Sequence, residues 1–241
     1  MKEQFARSAL ILGEEAIVAL SQKRVAVFGL GGVGGAAVEA LARAGIGEFD
    51  LIDDDCFSLS NLNRQCLADL KSVGQAKVDV AEERILSIND SAIVHKHRCF
   101  FLPEEQGDID FSKLDYVVDA IDTVAGKLTI IKEAQKAGVP VISALGCGNR
   151  LDPSKLIIGD IFSTEGDPLA RVLRRELRKS GIKYLKVVYS KEPPLAPRGS
   201  LDEPLPPGKK SIPGSSPFVP PAAGILLAYA VCLDLAPFPK N

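Results

Sequence analysis

The sequence predicts an α/β fold with a doubly wound, mainly parallel sheet in a single domain. Three observations support this prediction. Short β-branched runs alternate with helical patterns through the first 150 residues. A glycine-rich loop follows the first run, and an acidic cluster closes the second. The length of 241 residues and the 46% hydrophobic content suit one or two domains with a sizeable core.

The first half of the chain is organised as strands and helices in alternation. Clusters of apolar and β-branched residues predict strands at 24–29, 49–55, 92–98, 114–122 and 139–145. Apolar residues at three- and four-residue spacing predict helices at 33–45, 76–89 and 123–138. Because parallel strands need long crossover connections, this order predicts a parallel sheet. Residues 1–150 form the predicted nucleotide-binding half.

The second half departs from this alternation. Residues 151–191 form a basic extension, with strands at 155–162 and 184–190 and a helix at 167–180, and should extend the sheet with mixed or antiparallel strands. Residues 192–221 hold ten of the sixteen prolines, which predicts a mobile crossover loop. An apolar closing helix at 222–235 should pack back on the body, so that residues 1–241 form one domain.

Composition limits the class of protein. No basic, then apolar leader opens the sequence, and the longest apolar run is short and contains Asp234, so we expect a cytoplasmic protein without a membrane span. The five cysteines are scattered without a C-x-x-C pair and are accompanied by only two histidines. This pattern favours reduced thiols over a zinc site or a disulfide framework.

The glycine loop indicates a nucleotide. Gly29, Gly31 and Gly34 form a G-x-G-x-x-G motif between a predicted strand and helix, with Gly32 inside it. Glycines permit close backbone approach, and the following helix offers free N–H groups to a phosphate. Asp53 closes the second predicted strand, where a carboxylate accepts hydrogen bonds from ribose hydroxyls. The motif predicts adenosine binding but leaves NAD and ATP open.

The polar loop beyond the acidic cluster favours ATP. Asn61, Arg64 and Lys77 stand at loop and helix-start positions from which they could reach phosphates. Breaking ATP requires cations around the phosphates, whereas a dehydrogenase relies mainly on its glycine loop. Asp122 ends a predicted strand at the ligand-binding edge of the sheet and could hold Mg²⁺.

Four blocks in order carry a family resemblance: "GLGGVG", "DDD" with "SNLNRQ", "GQAKVDVAEERI" and "VVDAIDT". They resemble the Rossmann-like adenylating domain of the ubiquitin-activating-enzyme family, which includes the thiamine- and molybdopterin-pathway adenylyltransferases. The resemblance implies a ribose contact at Asp53, with Asp55 beside it. It implies phosphate contacts at Asn61, Arg64 and Lys77, and a metal-associated Asp122. It also implies a homodimer in which Arg7 acts in the partner's site.

The second half, with "LGCGNRLDPSK" and "PFVPPAAG", resembles the tRNA threonylcarbamoyladenosine dehydratase subfamily. That resemblance implies ATP- and Mg²⁺-dependent activation of the threonylcarbamoyl carboxylate on tRNA, then ring closure with loss of water. It leaves room for a sulfurtransferase partner and needs no enzyme nucleophile. Cys147 would lie near the acyl end of the site with no assigned role. Lys127 would contact ATP or the modified base, or lie on a helix surface.

A basic segment fits a tRNA substrate. Residues 171–191 carry eight Lys or Arg and one Glu. At helical spacing, a row of cations should line one face and follow tRNA phosphates: Arg171, Arg174, Arg175, Arg178 and Lys179. A merely solvated charged face is the alternative.

Two other functions remain open on the sequence. An adenylyltransferase acting on the C-terminal glycine of a small sulfur-carrier or ubiquitin-like protein would share the nucleotide site. An NAD-dependent oxidoreductase would explain Gly29 to Asp53 but would leave Arg7, Arg64 and Asp122 without a role.

Overall fold

A computed structural model describes residues 2–102, 109–199 and 212–237. The strands are β1 (Arg24–Phe28), β2 (Glu48–Ile52), β3 (Ile93–His97), β4 (Tyr116–Asp119), β5 (Val141–Ala144), β6 (Leu156–Asp160) and β7 (Lys186–Ser190). The helices are α1 (Ala6–Leu12), α2 (Glu14–Ser21), α3 (Gly34–Ala44), α4 (Lys77–Ile88), α5 (Val124–Ala137), α6 (Pro168–Lys179) and α7 (Val219–Leu235).

The seven strands form one sheet in the order β3-β2-β1-β4-β5-β7-β6. Every neighbouring pair is parallel except β6 and β7, which are antiparallel. This arrangement confirms the predicted α/β class and its mixed extension. The strand order reverses between β1 and β4, and such a switch point opens a crevice at the carboxyl ends of the strands.

Strand β1 illustrates why both faces of the sheet are covered. Val25 and Val27 pack into the core on the side of α3 and α7, whereas Ala26 and Phe28 pack into a second core with α5. A strand that is apolar at successive positions is typical of a sheet buried on both sides. Helices α3 and α7 approach closely, since a Cβ on Gly224 would lie 2.2 Å from the Val33 carbonyl oxygen.

Three predicted boundaries are wrong by three residues. The predicted fourth strand reaches residue 122, but β4 ends at Asp119. The sequence predicts a second strand that reaches residue 55, but β2 ends at Ile52, because the carboxylate of Asp53 binds backbone N–H groups and turns the chain. The closing helix begins at Val219 rather than 222. Pro220 and Pro221 occupy its first turn, where a missing N–H costs no helical hydrogen bond.

The proline-rich crossover is only partly described. Residues 200–211 lie outside the described ranges, so the predicted mobility there stays a prediction. The described flanks bind the body, through Leu195 N–H to the Asn149 carbonyl and through Asn149 N–H to the Gly214 carbonyl, both at 2.7 Å. Within the described ranges, no helix combines the length and hydropathy that a bilayer crossing requires.

Candidate active site

A cleft of about 840 Å³ opens at the carboxyl ends of the central strands. Its walls come from the glycine loop after β1, the acidic turn after β2, the loop after β4 and the loop after β5. Residues 212–215 and the start of α7 close one side. The volume lies within the range of small-molecule sites. The cleft therefore stands where the sequence predicts a nucleotide.

The glycine loop is shaped by close backbone contacts. A Cβ on Gly34 would lie 1.7 Å from the Gly29 carbonyl oxygen, so only glycine fits at the start of α3. At Gly31, by contrast, the nearest atom to an added Cβ is 3.9 Å away, on the side chain of Gln65. Space at this position faces the cleft, which lets a ligand approach the backbone.

Asp53 anchors the glycine loop. One carboxylate oxygen accepts the Leu30 N–H at 2.6 Å, and the other accepts the Asp55 N–H at 2.9 Å. Its side chain is only 8% exposed. Asp53 thus fixes the relation between β2 and the loop. The Asp55 carboxylate, at 65% exposure, is the more open of the two toward the cleft.

Lys77 begins α4 with its ammonium inside the cleft wall. The amine donates to Asp55 at 2.7 Å and lies 3.4 Å from Asp53. The side chain is 7% exposed. A buried cation held by a more exposed acid can exchange that partner for a phosphate.

Arg64 lines the cleft, as the sequence predicts. Its Nη1 donates to the Ser60 carbonyl at 2.8 Å and to Asn63 Oδ1 at 2.9 Å. Burial lowers the pKa of the guanidinium, yet arginine stays charged. Asn61 caps the preceding turn, with its Oδ1 accepting the Ser58 N–H at 3.2 Å. Asn63 rather than Asn61 is among the residues that line the cleft in the described structure.

Carboxylates line the cleft from two loops, the acidic turn after β2 and the loop after β4. Asp122 and Thr123 follow β4 and line the cleft, as does the acidic turn after β2 that contains Asp54. Burial, and then the neighbouring acids Asp55 and Asp53, raise the pKa of Asp54. Mg²⁺ prefers oxygen ligands and is commonly bound through one or two carboxylates plus substrate phosphates. Among the described residues no three His, Cys, Asp or Glu side chains come together as a metal site, so a Mg²⁺ ion at Asp122 would take its remaining ligands from phosphates and water.

Sequence reasoning misses two buried oxygens at this cleft. Gln65 Oε1 and Thr123 Oγ1 are buried and have no hydrogen-bond partner among the described residues. Both residues line the cleft. Buried polar atoms are normally satisfied, so such atoms beside a cleft are candidates for ligand contacts. The signal in the sequence is adjacency: Gln65 follows Arg64, and Thr123 follows Asp122.

For Lys127 the sequence predicts contact with ATP, the modified base or solvent, and this prediction is wrong. Its ammonium is fully buried under the cleft and makes hydrogen bonds to both oxygens of Asp119 at 3.0 Å. Further hydrogen bonds reach Ser143 Oγ at 3.1 Å and the Ala144 carbonyl at 2.7 Å. Lys127 therefore ties α5 to the ends of β4 and β5.

The loop after β5 forms the far end of the cleft, and Cys147 lies on it. Burial raises the pKa of the Cys147 thiol to about 11. Behind the loop, Arg150 donates to the Gly146 carbonyl at 3.0 Å and lies 3.3 Å from Asp167. Asp167 in turn caps α6 through the Ala170 N–H at 2.9 Å. A protonated thiol at neutral pH is a poor nucleophile.

The basic helix α6 begins at the cleft, where Leu169 lines its wall. Four cations of this helix are exposed: Arg171, Arg175, Arg178 and Lys179. Arg174 is half-buried and anchors the helix, with Nη1 donating to the Thr164 carbonyl at 2.8 Å and to Thr164 Oγ1. The exposed cations thus extend outward from the mouth of the cleft.

Arg7 lies on α1, outside the cleft of its own chain in the described structure. The same helix has Leu10 and Ile11 exposed at 87% and 76%. An exposed cation flanked by large exposed apolar side chains is unusual for a surface with no partner.

Comparisons with known proteins agree with this geometry. The sequence matches the ThiF family over residues 3–163. It is 40% identical over 242 residues to a tRNA threonylcarbamoyladenosine dehydratase of Bacillus subtilis, covering 98% of this chain and 95% of that protein. A tRNA threonylcarbamoyladenosine dehydratase of Haemophilus influenzae is 38% identical over 178 residues, covering 74% and 68%.

A solved structure also matches along the whole chain. The E. coli tRNA N6-threonylcarbamoyladenosine dehydratase in complex with ATP superposes with a TM-score of 0.84 at 30% identity, covering 97% of this chain and 93% of that one. The same E. coli protein is also known in complex with AMP.

Proposed function

Because the chain belongs to the ThiF family, as its match over residues 3–163 establishes, we propose that it is an ATP-dependent tRNA threonylcarbamoyladenosine dehydratase. The observation that carries the proposal is one continuous cleft. At one end it has a glycine loop, two cations and several carboxylates; at the other it meets the start of the basic helix α6. Acting on tRNA, the protein would work in the cytoplasm.

Different residues at the nucleotide end would bind the phosphates and the sugar of ATP. The glycine loop and the start of α3 accommodate the phosphates and the sugar, which approach closely at Gly31. Asp53 holds the loop and would bind a ribose hydroxyl, with the more exposed Asp55 beside it. Arg64 and Lys77 would neutralise the charge that develops when the bond between the α- and β-phosphates breaks. Asn61 keeps the turn before Arg64 in place.

Asp122 would hold Mg²⁺ together with the ATP phosphates. Its place in the cleft lining fits a cation that prefers oxygen ligands. When bound, the ion would screen phosphate charge during the transfer. From the loop after β4, Asp122 would also orient the nucleotide toward the acceptor.

The chemistry is adenylation followed by internal ring closure. A carboxylate oxygen of the threonylcarbamoyl group attacks the α-phosphorus of ATP and pyrophosphate leaves. A nucleophilic atom of the same group then attacks the activated acyl carbon, loses its proton, and expels AMP. The net change in the nucleoside is the loss of one water. No enzyme nucleophile is required, which agrees with the raised pKa of Cys147.

Helix α6 would guide the tRNA. Its exposed cations begin next to Leu169 in the cleft wall and continue away from it. Electrostatic binding of this kind neutralises phosphates without reading sequence. The acceptor nucleoside would enter the cleft from this end, past the loop that bears Cys147.

A second copy of the chain would complete the site. Arg7 would enter the partner's cleft, and the exposed Leu10 and Ile11 on the same helix would pack in the interface. An arginine supplied by a partner stabilises transition-state charge in other phosphoryl transfers by about 10³ to 10⁵ in rate.

The test is to incubate the purified protein with Mg²⁺-ATP and tRNA, with and without the threonylcarbamoyl modification. AMP release and the mass of the nucleoside are followed together. We expect AMP only with modified tRNA, and a nucleoside lighter by one water. AMP release that needs a carrier-protein C-terminus instead would overturn the choice of acceptor and leave the adenylating site standing.

A further inference from the structure

A short segment at residues 212–216 closes one side of the cleft, and we call it the strap. Four of its members line the cleft: Ile212, Pro213, Gly214 and Ser215. The fifth, Ser216, is 8% exposed and donates from its Oγ to the Arg150 carbonyl at 3.1 Å. The strap is thus a wall of the cleft with its C-terminal end fixed to the loop after β5.

Asn149 holds the strap through a reciprocal pair of hydrogen bonds. Its backbone N–H donates to the Gly214 carbonyl at 2.7 Å, and its Oδ1 accepts the Gly214 N–H at 2.7 Å. Among the described residues, Asn149 is the one non-glycine residue with a positive φ, 58°. Such a conformation persists where the surrounding structure fixes it. The neighbouring Gly148 has no side chain, and an added Cβ would lie 3.0 Å from Pro213 Cβ.

The strap is also connected to the nucleotide end. Asn63 Nδ2 donates to the Ser215 carbonyl at 3.0 Å. The other atom of the same amide, Oδ1, accepts from Arg64 Nη1 at 2.9 Å. One side chain therefore joins the arginine of the nucleotide loop to the strap.

Arg64 can keep this hydrogen bond while it binds a phosphate. Within the described residues, Nη1 donates to both of its protein acceptors, Ser60 and Asn63. A guanidinium carries five N–H donors, so Nε and Nη2 supply a fork for phosphate oxygens. A bound nucleotide would fix Arg64, Arg64 would fix Asn63, and Asn63 would fix Ser215.

We propose that Asn63 and Asn149 are positioning residues that couple nucleotide binding to the order of the strap. Asn149 sets the position of the strap. Asn63 makes the stability of the strap depend on whether a nucleotide is bound. The inference rests on the proposed function only in assigning phosphate binding to Arg64. The consequence is positive cooperativity between ATP and the acceptor. ATP orders the strap first, so the later binding of the acceptor no longer has to supply the free energy of ordering it.

Hydrogen exchange of the strap tests this without any tRNA. The probe is α,β-methylene-ATP with Mg²⁺, whose α–β linkage resists adenylation, at a concentration that calorimetry shows to be saturating for each variant. In the native protein we expect the strap amides, those of Ile212, Gly214, Ser215 and Ser216, to exchange about tenfold more slowly with the probe than without it.

Two variants separate the roles. Asn63→Asp keeps an oxygen for Arg64 but cannot donate to the Ser215 carbonyl, so its strap should gain less than about twofold protection from the probe. Asn149→Gly tolerates the positive φ but lacks Oδ1. Its strap should exchange faster than native both with and without the probe, and the probe should still slow it.

The opposing outcomes are distinct. Equal protection by the probe in native protein and Asn63→Asp would remove Asn63 from the coupling. Saturated native protein with no change in strap exchange would overturn the proposal while leaving ATP binding intact. Strap protection in a protein that releases no AMP with modified tRNA would support the coupling and overturn the assigned acceptor.

Discussion

Lys127 holds both carboxylate oxygens of Asp119 at 3.0 Å in a region that solvent does not reach. The same ammonium binds the Ala144 carbonyl at 2.7 Å, and Ala144 lines the cleft. Asp119 ends β4, three residues before Asp122. One buried cation therefore fixes the relative position of the two strand ends that carry the walls of the site.

The first prediction concerns this ion pair. Lys127→Met should lower the free energy of unfolding by about 3–5 kcal/mol, because it leaves the Asp119 carboxylate buried without its cation. Urea denaturation followed by circular dichroism measures the effect. Lys132→Met, an exposed position on the same helix, should stay within about 0.5 kcal/mol of native. A Lys127→Met protein as stable as that control would show that the buried pair contributes little.

The second prediction tests the shared active site. Arg7→Ala and Asp122→Asn should each fold and each reduce AMP release by roughly 10² or more, because the first removes a cation from the transition state and the second removes the carboxylate that would hold Mg²⁺. If Arg7 acts in the partner's cleft, a mixed dimer contains one site with both residues intact. Equimolar mixing with subunit exchange should then restore about a quarter of native activity. Mixtures that stay as inactive as either variant, in dimers that do exchange, would place Arg7 in its own chain's site or outside catalysis.

Much of the fold is predictable because its signals are local. The β-branched runs at 24–29 and 139–145, and helices ending at glycine, predict strands and helices within one or two residues of those observed. The start of the closing helix at Val219 is missed, because two prolines resemble a crossover unless their place in a first helical turn is considered. The antiparallel pairing of β6 and β7 is predictable because the regular alternation of strands and helices ends in the second half of the chain.

Site residues can be predicted where their role follows from their position along the chain, and not where it depends on contacts that form only in the folded structure. Gly31, Arg64 and Lys77 meet in the cleft because the loop after β1, the loop after β2 and the start of α4 lie at one edge of the sheet. Nothing local distinguishes Lys127, which is buried, from a surface lysine on the same helix. The link from Asn63 to Ser215 spans 152 positions and has no local signal.

The third prediction separates two arginines on α6. Arg175 is exposed, whereas Arg174 is held against the Thr164 carbonyl at 2.8 Å. Arg175→Glu should weaken tRNA binding and flatten the plot of log affinity against log salt by about 0.9 for each phosphate that is no longer neutralised. Arg174→Ala should mainly reduce stability, by about 1–2 kcal/mol, since it frees a buried carbonyl. Filter binding at several salt concentrations and urea denaturation measure the two effects. If Arg175→Glu left both affinity and slope unchanged, the tRNA track would lie elsewhere.

The fourth prediction concerns Cys147. Burial raises the pKa of its thiol to about 11, so at pH 8 roughly one thiol in a thousand is ionised. Iodoacetamide should therefore label the exposed Cys56 first, and labelling of Cys147 should rise about tenfold per pH unit toward pH 10. Cys147→Ser should keep more than about half of native AMP release, because ring closure uses a nucleophile of the substrate. Peptide mass spectrometry follows the labelling. Abolished activity in a folded Cys147→Ser protein would point to a covalent step.

The fifth prediction concerns acid stability and Asp50, which lies on β2, between β1 and β3. Burial opposes ionisation of Asp50, but hydrogen bonds from His97 at 2.8 Å and Arg24 at 2.7 Å outweigh it and lower the pKa of the carboxyl. A carboxyl whose pKa is lower in the folded than in the unfolded protein stabilises the fold fully at a pH above its unfolded-state pKa, which is about 3.9 for Asp. This contribution is lost as the pH falls through the folded-state pKa. Asp50→Asn should therefore be less stable than native by about 2–4 kcal/mol at pH 6–7, and the difference should shrink as the pH falls below about 4. Urea denaturation of both proteins at about pH 7, 5 and 3.5 measures how the difference in their free energies of unfolding changes with pH. A difference that stayed constant across that range would show that the charge of Asp50 does not contribute to folding stability.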